Sequence, residues 1–400
     1  MATEFHRKIL DELKAGLLGI PGLMHVLIGP RQVGKTTLAH SLATAWEGKS
    51  HYGVADTPLP PGPAWIAAQW DAARRLDDGV RPPLLILDEV QKVFRWSEVV
   101  KSLWDEDRKT GASLRVVILG SSSLLLAEGM TESLAGRFFL HRCRHWSLGE
   151  CAEAFSWDLD RWLYFGGYPG AARLAGDEQA WRSYVTDALI EAVLSRDVVA
   201  MQRVTKPALL RHLFVLAARF PAQVFSYNKM LGQLQDAGNT TTLAHYLRLL
   251  ETAFLASGLE RFSLGQARSR GSSPKLILWN NALVSALGLR SFEQARSDPS
   301  WWGRLAENAV GAHLVSGLQG LRYDVGYWRQ GNSEVDFVVR AGDSIWAIEV
   351  KSGRLDRPLA GLDAFLARFP SARPLIVGTG GIPLASFFST DPRDLFTVRS

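Results

Sequence analysis

The sequence predicts an α/β protein whose N-terminal part is built on a buried parallel sheet. Short runs of apolar residues at 26–28, 84–87 and 115–119 are each followed by glycine or acidic residues. Such runs, bounded by turn-forming residues, are typical of strands that are covered on both faces. Two further strand-like segments, 334–339 and 345–350, lie near the C-terminal end. A chain of 400 residues has room for two or three domains.

Composition narrows the class of protein only slightly. The net charge of +5 permits binding to nucleic acid without requiring it. The two cysteines, Cys143 and Cys151, lack CxxC spacing, so we expect reduced thiols and a cytoplasmic protein. A charged N-terminal segment argues against a signal peptide, and no apolar run approaches the ~20 residues needed to cross a bilayer. The sequence therefore predicts a soluble protein without a membrane partner.

The segment 29–36 is the most informative part of the sequence. It reads GPRQVGKT and connects the strand at 26–28 to a helical stretch at 37–46. This spacing predicts a P-loop, in which backbone amides surround a phosphate chain, Lys35 neutralises the β- and γ-phosphates, and the Thr36 hydroxyl binds Mg²⁺. The predicted ATP-binding residues are Gly29, Pro30, Arg31, Gln32, Val33, Gly34, Lys35, Thr36 and Thr37.

Two acidic residues follow the apolar run at 84–87. Asp88 and Glu89 come at its C-terminal end, which is where ligands bind in open α/β sheets. Downstream of a P-loop, four apolar residues and two acids are typical of a Walker B motif. We expect Asp88 to hold Mg²⁺ through water and Glu89 to polarise the water that attacks the γ-phosphate. The sequence thus predicts ATP hydrolysis.

Two further blocks follow the strand-like run at 115–119. Residues 120–123 read GSSS, and a small side chain here, Ser121, can contact the attacking water or the γ-phosphate. Residues 132–137 read ESLAGR and precede another strand-like run at 138–143. With GGYP at 166–169 and the C-terminal acids described below, these blocks resemble prokaryotic AAA+ ATPases that carry a C-terminal domain of unknown function with a restriction-endonuclease-like core. The resemblance covers nearly the whole chain.

The resemblance implies an assembly as well as a fold. In an AAA+ ring, Arg137 would be an arginine finger that stabilises charge on the phosphoryl group of the neighbouring subunit. We therefore expect a homo-oligomer of the ring type. The alternative is that Arg137 is an ordinary surface or capping arginine.

The middle of the chain changes to helical periodicity. Apolar residues recur at spacings of three and four through residues 181–192, which is typical of a helical lid. The order helix, turn, helix and two strands over residues 225–279 is that of a winged helix. Its second helix, at 240–254, would enter a DNA groove. Arg261, Arg268, Arg270 and Lys275 would then contact phosphates. A winged helix that serves only for packing is the open alternative.

The C-terminal segment carries a second group of chemical residues. Asp336 is followed thirteen residues later by Glu349, and Lys351 shares its strand face with Glu349. An antiparallel pairing of these strands can bring Asp336 beside them, which is the PD-(D/E)xK arrangement of metal-dependent nucleases. Glu307, in a helical segment, corresponds to the acid that many such nucleases supply from their first helix. The open alternative is an inactive core in which Asp336 or Glu349 pairs with Lys351.

The predicted organisation is therefore an AAA+ P-loop core at 1–150, a helical lid at 151–218, a winged-helix domain at 219–290 and a PD-(D/E)xK nuclease-like domain at 291–400. Two functions remain open. The first is an oligomeric ATPase, with ATP and Mg²⁺ as cofactors, that acts on DNA. The second is an ATP-gated scaffold or regulator of a protein partner. A small-molecule kinase is disfavoured, because it has no use for the SLAGR block or the lid.

Overall fold

The computed structural model describes residues 5–19, 22–120, 133–198, 204–234, 239–264, 273–353 and 359–396 of the chain. The chain divides into two compact units, Met1–Arg144 and His145–Ser400. Over the described ranges, none of the helices has the length and apolar character needed to cross a bilayer.

The N-terminal unit is built on a five-stranded sheet in which all neighbouring strands run parallel. The predicted parallel sheet is confirmed, and a strand that no apolar run had indicated, β2, is added at one edge. The strands are β1 (Met24–Ile28), β2 (Ser50–Val54), β3 (Leu84–Asp88), β4 (Arg115–Leu119) and β5 (Phe138–Arg142), in the order β2-β3-β4-β1-β5. The helices are α1 (Lys8–Gly19), α2 (Lys35–Ala45), α3 (Pro63–Arg74) and α4 (Trp96–Thr110), with a short 3₁₀ turn at Val90–Lys92.

Both faces of this sheet are covered. Leu27 of β1 and Ile86 of β3 pack with Leu13 of α1 and Leu42 of α2 in one apolar cluster. Alternate residues of the same strands point to the other face, and they are equally buried, as Leu85 of β3 illustrates. The apolar runs of the sequence therefore reflect burial on two sides, and the carboxyl edge of the sheet is left for the loops.

The C-terminal unit begins with helices. The periodic segment at 181–192 is helical as predicted, although the winding becomes that of a π-helix from Tyr184 onward. These helices are Leu148–Phe155, Leu159–Phe165, Pro169–Ala172, Glu178–Ser183, the π-helical Tyr184–Glu191 and Val193–Val198, and Pro207–Arg219.

A small antiparallel sheet follows these helices. It consists of β6 (Gln223–Val224), β7 (Ala256–Leu259) and β8 (Lys275–Leu278) in the order β6-β8-β7. Helices Tyr227–Gln233 and Thr240–Thr252 lie between β6 and β7 in the chain. Three further helices, Asn281–Leu287, Phe292–Ser297 and Pro299–Leu318, lead away from β8.

The last part of the chain forms a four-stranded sheet in the order β12-β11-β10-β9. The strands β9 (Asp324–Gln330), β10 (Ser333–Ala341) and β11 (Ser344–Lys351) are antiparallel neighbours, and β12 (Arg373–Gly378) runs parallel to β11. Helices Ala360–Arg368, Leu384–Ser389 and Pro392–Leu395 complete this part. Trp328 and Trp346 are buried in it, so these rings belong to the core and do not form a surface for stacking on bases.

Candidate nucleotide-binding site

The loop between β1 and α2 depends on glycine at two positions. A Cβ atom added at Gly29 would lie 2.0 Å from the carbonyl oxygen of Cys143, which follows β5. Gly34, directly before α2, has a φ of 91°, in the left-handed region that favours glycine. The chain therefore passes close to β5 and then turns sharply into α2. A side chain at Gly29 would clash with the backbone after β5, and one at Gly34 would strain the left-handed backbone.

Lys35 is folded back onto its own loop. The side chain is almost completely buried, and its Nζ donates hydrogen bonds to the carbonyl oxygens of Gly29 at 2.9 Å and Pro30 at 2.6 Å. Burial lowers the pKa of the Lys35 ammonium. Phosphate oxygens are stronger acceptors than neutral carbonyls for a charged donor. The ammonium can therefore exchange these two bonds for bonds to a phosphate.

Asp88, at the end of β3, collects hydrogen bonds from three directions. Its Oδ2 accepts from the Thr36 hydroxyl at 3.0 Å and from the Tyr52 hydroxyl at 2.7 Å, and its Oδ1 accepts from the Glu89 amide at 2.8 Å. The carboxylate is 3% exposed, and this burial raises its pKa. The end of the P-loop and the end of β3 are thus joined through one carboxylate oxygen.

Glu89 is held in an unusual backbone conformation. Its φ of 56° lies in the left-handed region, and its amide donates to the carbonyl oxygen of Leu119 at the end of β4. The Glu89 carboxylate accepts a hydrogen bond from Gln91 Nε2 at 2.8 Å. Gln91 itself lies against Gly120, where an added Cβ would be 2.1 Å from Gln91 Oε1. A backbone strained in this way is often found where a side chain is aimed at a reacting group.

The other residues predicted for the ATP site fall into three groups. Val33 is buried, whereas Gln32 and Thr37 are exposed and Arg31 is half-buried. Ser121 lies outside the described residues.

Arg137 lies at the other edge of the sheet. It directly precedes β5, which is parallel to β1 and five residues long, or about 16 Å. Arg137 donates from Nε and Nη2 to the two carboxylate oxygens of Asp105 in α4, at 2.8 Å and 3.1 Å. Because the P-loop follows the carboxyl end of β1, the length of one strand separates it from Arg137.

Arg7 was not predicted to be part of the site, yet it contacts the P-loop. From the segment before α1, its Nη1 donates to the carbonyl oxygen of Val33 at 3.1 Å and to Cys143 Sγ at 3.1 Å. Its Nη2 donates to the carbonyl oxygen of Arg144 at 3.2 Å. The guanidinium therefore ties the P-loop to the end of β5. A single arginine in a charged N-terminal segment carries no pattern that could have indicated this contact.

The residues predicted for a nuclease-like site lie in the C-terminal unit. Asp336 on β10 lies directly across from Glu349 on β11, in the register that pairs Phe337 with Ile348. Lys351 Nζ donates to Glu349 Oε1 at 2.7 Å, and the Val350 amide donates to Asp336 Oδ2 at 2.8 Å. Within the described part of the chain, Glu349 Oε2 is buried without a hydrogen-bond partner.

The centre of this carboxylate cluster is filled by Lys275, the first residue of β8. Its Nζ lies 2.6 Å from Glu307 Oε1, 3.5 Å from Glu334 Oε1 and 3.6 Å from Asp336 Oδ1. The side chain of Lys275 is completely buried. The prediction that Lys275 contacts DNA phosphates is therefore wrong, because acids far downstream in the chain surround its ammonium.

The cluster does not fit a divalent ion in this arrangement. In the ranges that the structure describes, no three His, Cys, Asp or Glu side chains are grouped so that they could hold a metal. Burial raises the pKa of Glu307 to about 7, and burial together with Asp336 raises that of Glu349. The predicted ligands Glu307, Asp336 and Glu349 are close together, but an ammonium stands where they converge.

Comparison with known protein families agrees with the geometry of the N-terminal unit. Residues 22–152 match the family model of an AAA domain. This part of the chain is therefore similar to AAA domains. Two later segments, residues 156–294 and 302–385, match two domains of unknown function, DUF8612 and DUF4143. Among curated proteins, no sequence matches the chain.

Solved structures give only distant likenesses to this chain. Cdc6p from Pyrobaculum aerophilum is 14% identical over 72% of this chain and 95% of its own, with a TM-score of 0.32. A RuvB point variant from Thermotoga maritima is 18% identical over 68% and 93%, with a TM-score of 0.35. The ORC1 protein from Aeropyrum pernix in complex with DNA is 14% identical over 72% and 93%, with a TM-score of 0.30. Scores this low carry no argument about function.

Proposed function

We propose that this protein hydrolyses ATP as an oligomeric AAA+ protein and acts on DNA. The observation that carries the proposal is the hydrogen bond of 3.0 Å between the Thr36 hydroxyl and Asp88 Oδ2, since it joins the P-loop to the end of β3. A Mg²⁺–ATP site needs hydroxyl, carboxylate and ammonium groups at one edge of a parallel sheet. Thr36, Asp88 and Lys35 meet that need.

Mg²⁺ fits Thr36 and Asp88 because both present the hard oxygen donors that this ion prefers. Bound with ATP, it would neutralise negative charge that builds up on the β- and γ-phosphates. The Thr36 hydroxyl would bind the ion directly, and Asp88 would hold it through water. Lys35 exchanges its bonds with the Gly29 and Pro30 carbonyls for bonds to the β- and γ-phosphates.

Glu89 is the proposed group that polarises the attacking water. Its backbone is held in the left-handed region, and its Oε2 accepts a hydrogen bond from Gln91 Nε2 at 2.8 Å. A carboxylate that a neighbouring amide holds in position can accept a proton from water. Gln91 is therefore proposed as the residue that holds Glu89 in position.

Arg137 is the proposed contribution of one subunit to the site of the next. It lies at the amino edge of the sheet, and a five-residue strand separates it from the carboxyl edge where the P-loop lies. Its action must therefore be on a neighbouring copy, as in a ring-type AAA+ assembly. In the single chain its guanidinium is paired with Asp105, so we propose that assembly exchanges this pair for a contact with the γ-phosphate.

Contact with DNA is proposed for the middle part of the chain. Helix Pro207–Arg219, β6, two helices, β7 and β8 follow one another in the order of a winged helix, with the antiparallel sheet that such a fold needs. The helix Thr240–Thr252 would lie in a groove, and it exposes Arg248. Arg261 is also exposed, while Arg268 and Arg270 lie outside the described residues.

For the C-terminal four-stranded sheet, we propose a restriction-endonuclease-like fold without assigning it cleavage. The antiparallel pairing of β10 and β11, followed by a helix and the parallel strand β12, supports the fold. The position of Lys275 among the acids argues against a metal-dependent reaction.

The test is the ATPase rate of the purified protein with and without single-stranded, duplex and branched DNA, in Mg²⁺ buffer. Lys35→Ala protein measured in parallel gives the background from contaminating ATPases. Hydrolysis above that background, increased by DNA, supports the proposal. A wild-type rate equal to that of Lys35→Ala under every condition would contradict ATP hydrolysis.

A second candidate is an ATP-gated scaffold or regulator of a protein partner. The burial of Lys275 favours it, because one of the basic groups predicted to contact DNA is removed from the surface. ATPase activity that no form of DNA changes, together with an unaltered rate in Arg248→Ala, would support this candidate over the first.

A further inference from the structure

We propose that the Lys275 ammonium permanently occupies the cation position of the C-terminal carboxylate cluster, so that the cluster joins β8 to the C-terminal sheet without a metal ion. The inference is independent of the proposed ATPase activity. It makes this cluster a structural joint and excludes metal-dependent cleavage of phosphodiesters there.

The first observation in support is that the Lys275 ammonium leaves no room for a metal ion between Glu307 and Asp336. Lys275 Nζ lies 2.6 Å from Glu307 Oε1, and it also donates to the Asp336 carbonyl oxygen at 3.0 Å. The Phe337 ring lies on another side of the ammonium, with its centroid 4.9 Å from Nζ. A divalent ion binds carboxylate oxygens at about 2.0–2.6 Å, so an ion held by Glu307 and Asp336 would touch the ammonium. The ion and the ammonium cannot share this position.

The second observation in support is that basic side chains already pair with the carboxylates of the cluster. Each carboxylate of the cluster already has a basic group of the chain within 4 Å, so no unpaired negative charge remains to attract a cation. The pairs are Glu307 with Lys275 and Arg304, Glu334 with Lys275 and Arg329, Asp336 with Lys275, and Glu349 with Lys351.

The third support is that other contacts reinforce the same junction. The side chain of Asn308, in helix Pro299–Leu318, accepts from the Leu278 amide and donates to the Leu278 carbonyl oxygen, both at 2.9 Å. Beyond β7, the Tyr327 amide donates to the Glu260 carbonyl oxygen at 3.2 Å, and the Phe262 amide donates to the Tyr327 carbonyl oxygen at 2.6 Å. Lys275 is thus the buried charge of an extended junction between β7–β8 and the C-terminal sheet.

Metal binding gives the first test. Mn²⁺ binding to nucleotide-free protein is counted by electron paramagnetic resonance for the wild type, Asp336→Asn and Glu349→Gln. We expect the same number of bound ions in all three, because any Mn²⁺ at the ATP site is unaffected by these changes. One ion more in the wild type than in either variant would overturn the proposal, since it would place a metal at Asp336 and the unpartnered Glu349 Oε2.

Removal of the ammonium gives the second test. Lys275→Met keeps the apolar part of the side chain, is one atom shorter, and leaves Glu307, Glu334 and Asp336 without their shared cation. We expect this variant to unfold several degrees below the wild type at pH 8 and the difference to narrow at pH 5, because Glu307, whose pKa burial raises to about 7, is protonated at pH 5 and no longer repels its acidic neighbours. Exposed Lys229→Met is the matched control and should unfold like the wild type.

The pH dependence separates charge from packing. A temperature difference between Lys275→Met and the wild type that stays constant from pH 8 to pH 5 would show that Lys275 acts by filling space, and the proposal would fail. If Lys275→Met does not fold at all, the Mn²⁺ count in the wild type and the two acid variants still decides the question.

Discussion

Asp88 shows how the ATP site is assembled, residue by residue, from distant parts of the chain. Its carboxylate is fixed by hydroxyls of Thr36 in α2 and Tyr52 in β2 and by the Glu89 amide. These donors orient the group before a ligand arrives and offset the effect of burial, which raises its pKa. Tyr52 is therefore expected to act as a positioning residue, through Asp88 and without touching the nucleotide.

Tyr52→Phe tests this role. The variant keeps the ring that stacks on His40, with centroids 4.4 Å apart, and removes only the hydroxyl that binds Asp88. We expect the Mg²⁺ concentration for half-maximal ATPase activity to rise about tenfold or more, in line with the loss of about 1.5–3 kcal/mol for one hydrogen bond to a charged group. Binding of ADP in EDTA should be unchanged. If the Mg²⁺ dependence is unchanged, the Tyr52 hydroxyl does not position Asp88, and Tyr52 contributes only to packing.

His25 and His141 form a second residue-scale feature, inside the sheet and away from the nucleotide. His25 Nδ1 lies 2.8 Å from His141 Nε2, and both side chains are buried. Burial lowers the pKa of each to about 4, below the value near 6.5 of an unfolded chain. Between pH 6.5 and about 4, only the unfolded chain takes up these protons, so the free energy of unfolding decreases as the pH falls.

The expected slope is at most about 1.4 kcal/mol per pH unit for each histidine. It can be measured by denaturant unfolding from pH 7 to pH 4 in the wild type and in His141→Gln. The variant lacks one of the two histidines that bind a proton when the chain unfolds. The variant should show the shallower dependence in this window. Equal slopes would mean that the pair is already charged in the folded protein.

At the scale of elements, the packing of α4 beside the segment before β5 places Asp105 next to Arg137. The resulting ion pair competes with any contact between Arg137 and another subunit. The ion pair with Asp105 is partly exposed, and pairs of this kind contribute little to stability. Asp105→Asn should therefore shift the protein concentration for half-maximal ATPase activity downward by at most about a few-fold, since Arg137 no longer has to leave its partner. Activity measured over a dilution series provides the check, with Arg137→Ala as the inactive reference.

Mixed assemblies distinguish the two views of Arg137. If it acts on the next subunit, then Arg137→Ala and Lys35→Ala proteins, each inactive alone, should recover part of the activity when mixed. Activity that does not return on mixing would leave Arg137 as an ordinary partner of Asp105.

Elements whose signal is local could be predicted from the sequence. The P-loop and the two acids after β3 depend on neighbouring residues, and β10 and β11 show strand patterns of their own. β2 escaped prediction because SHYGV is neither apolar nor clearly alternating, and Tyr52 was missed with it. Lys275 was assigned to the surface because it adjoins a polar loop, whereas the acids that bury it follow 32 to 61 residues later in the chain.

At the scale of the whole molecule, nucleotide binding and hydrolysis should have separate effects on assembly. Lys35→Ala removes the ammonium that binds phosphate and should abolish ATP binding, so the protein stays in its nucleotide-free state of association. Glu89→Gln keeps the shape of the side chain but cannot accept a proton, so ATP should bind and hold the assembly together. Analytical ultracentrifugation with ATP measures the difference, and equal loss of nucleotide binding in both would contradict the role given to Glu89.

The P-loop and Arg137 lie at opposite edges of one sheet, so an arginine that acts in trans would have to meet the nucleotide edge of another copy. If that contact is head-to-tail, it repeats in one direction until the copies close into a cycle or continue as a helix. One defective copy in such an arrangement would disable two sites: the one that it carries and the one that it completes.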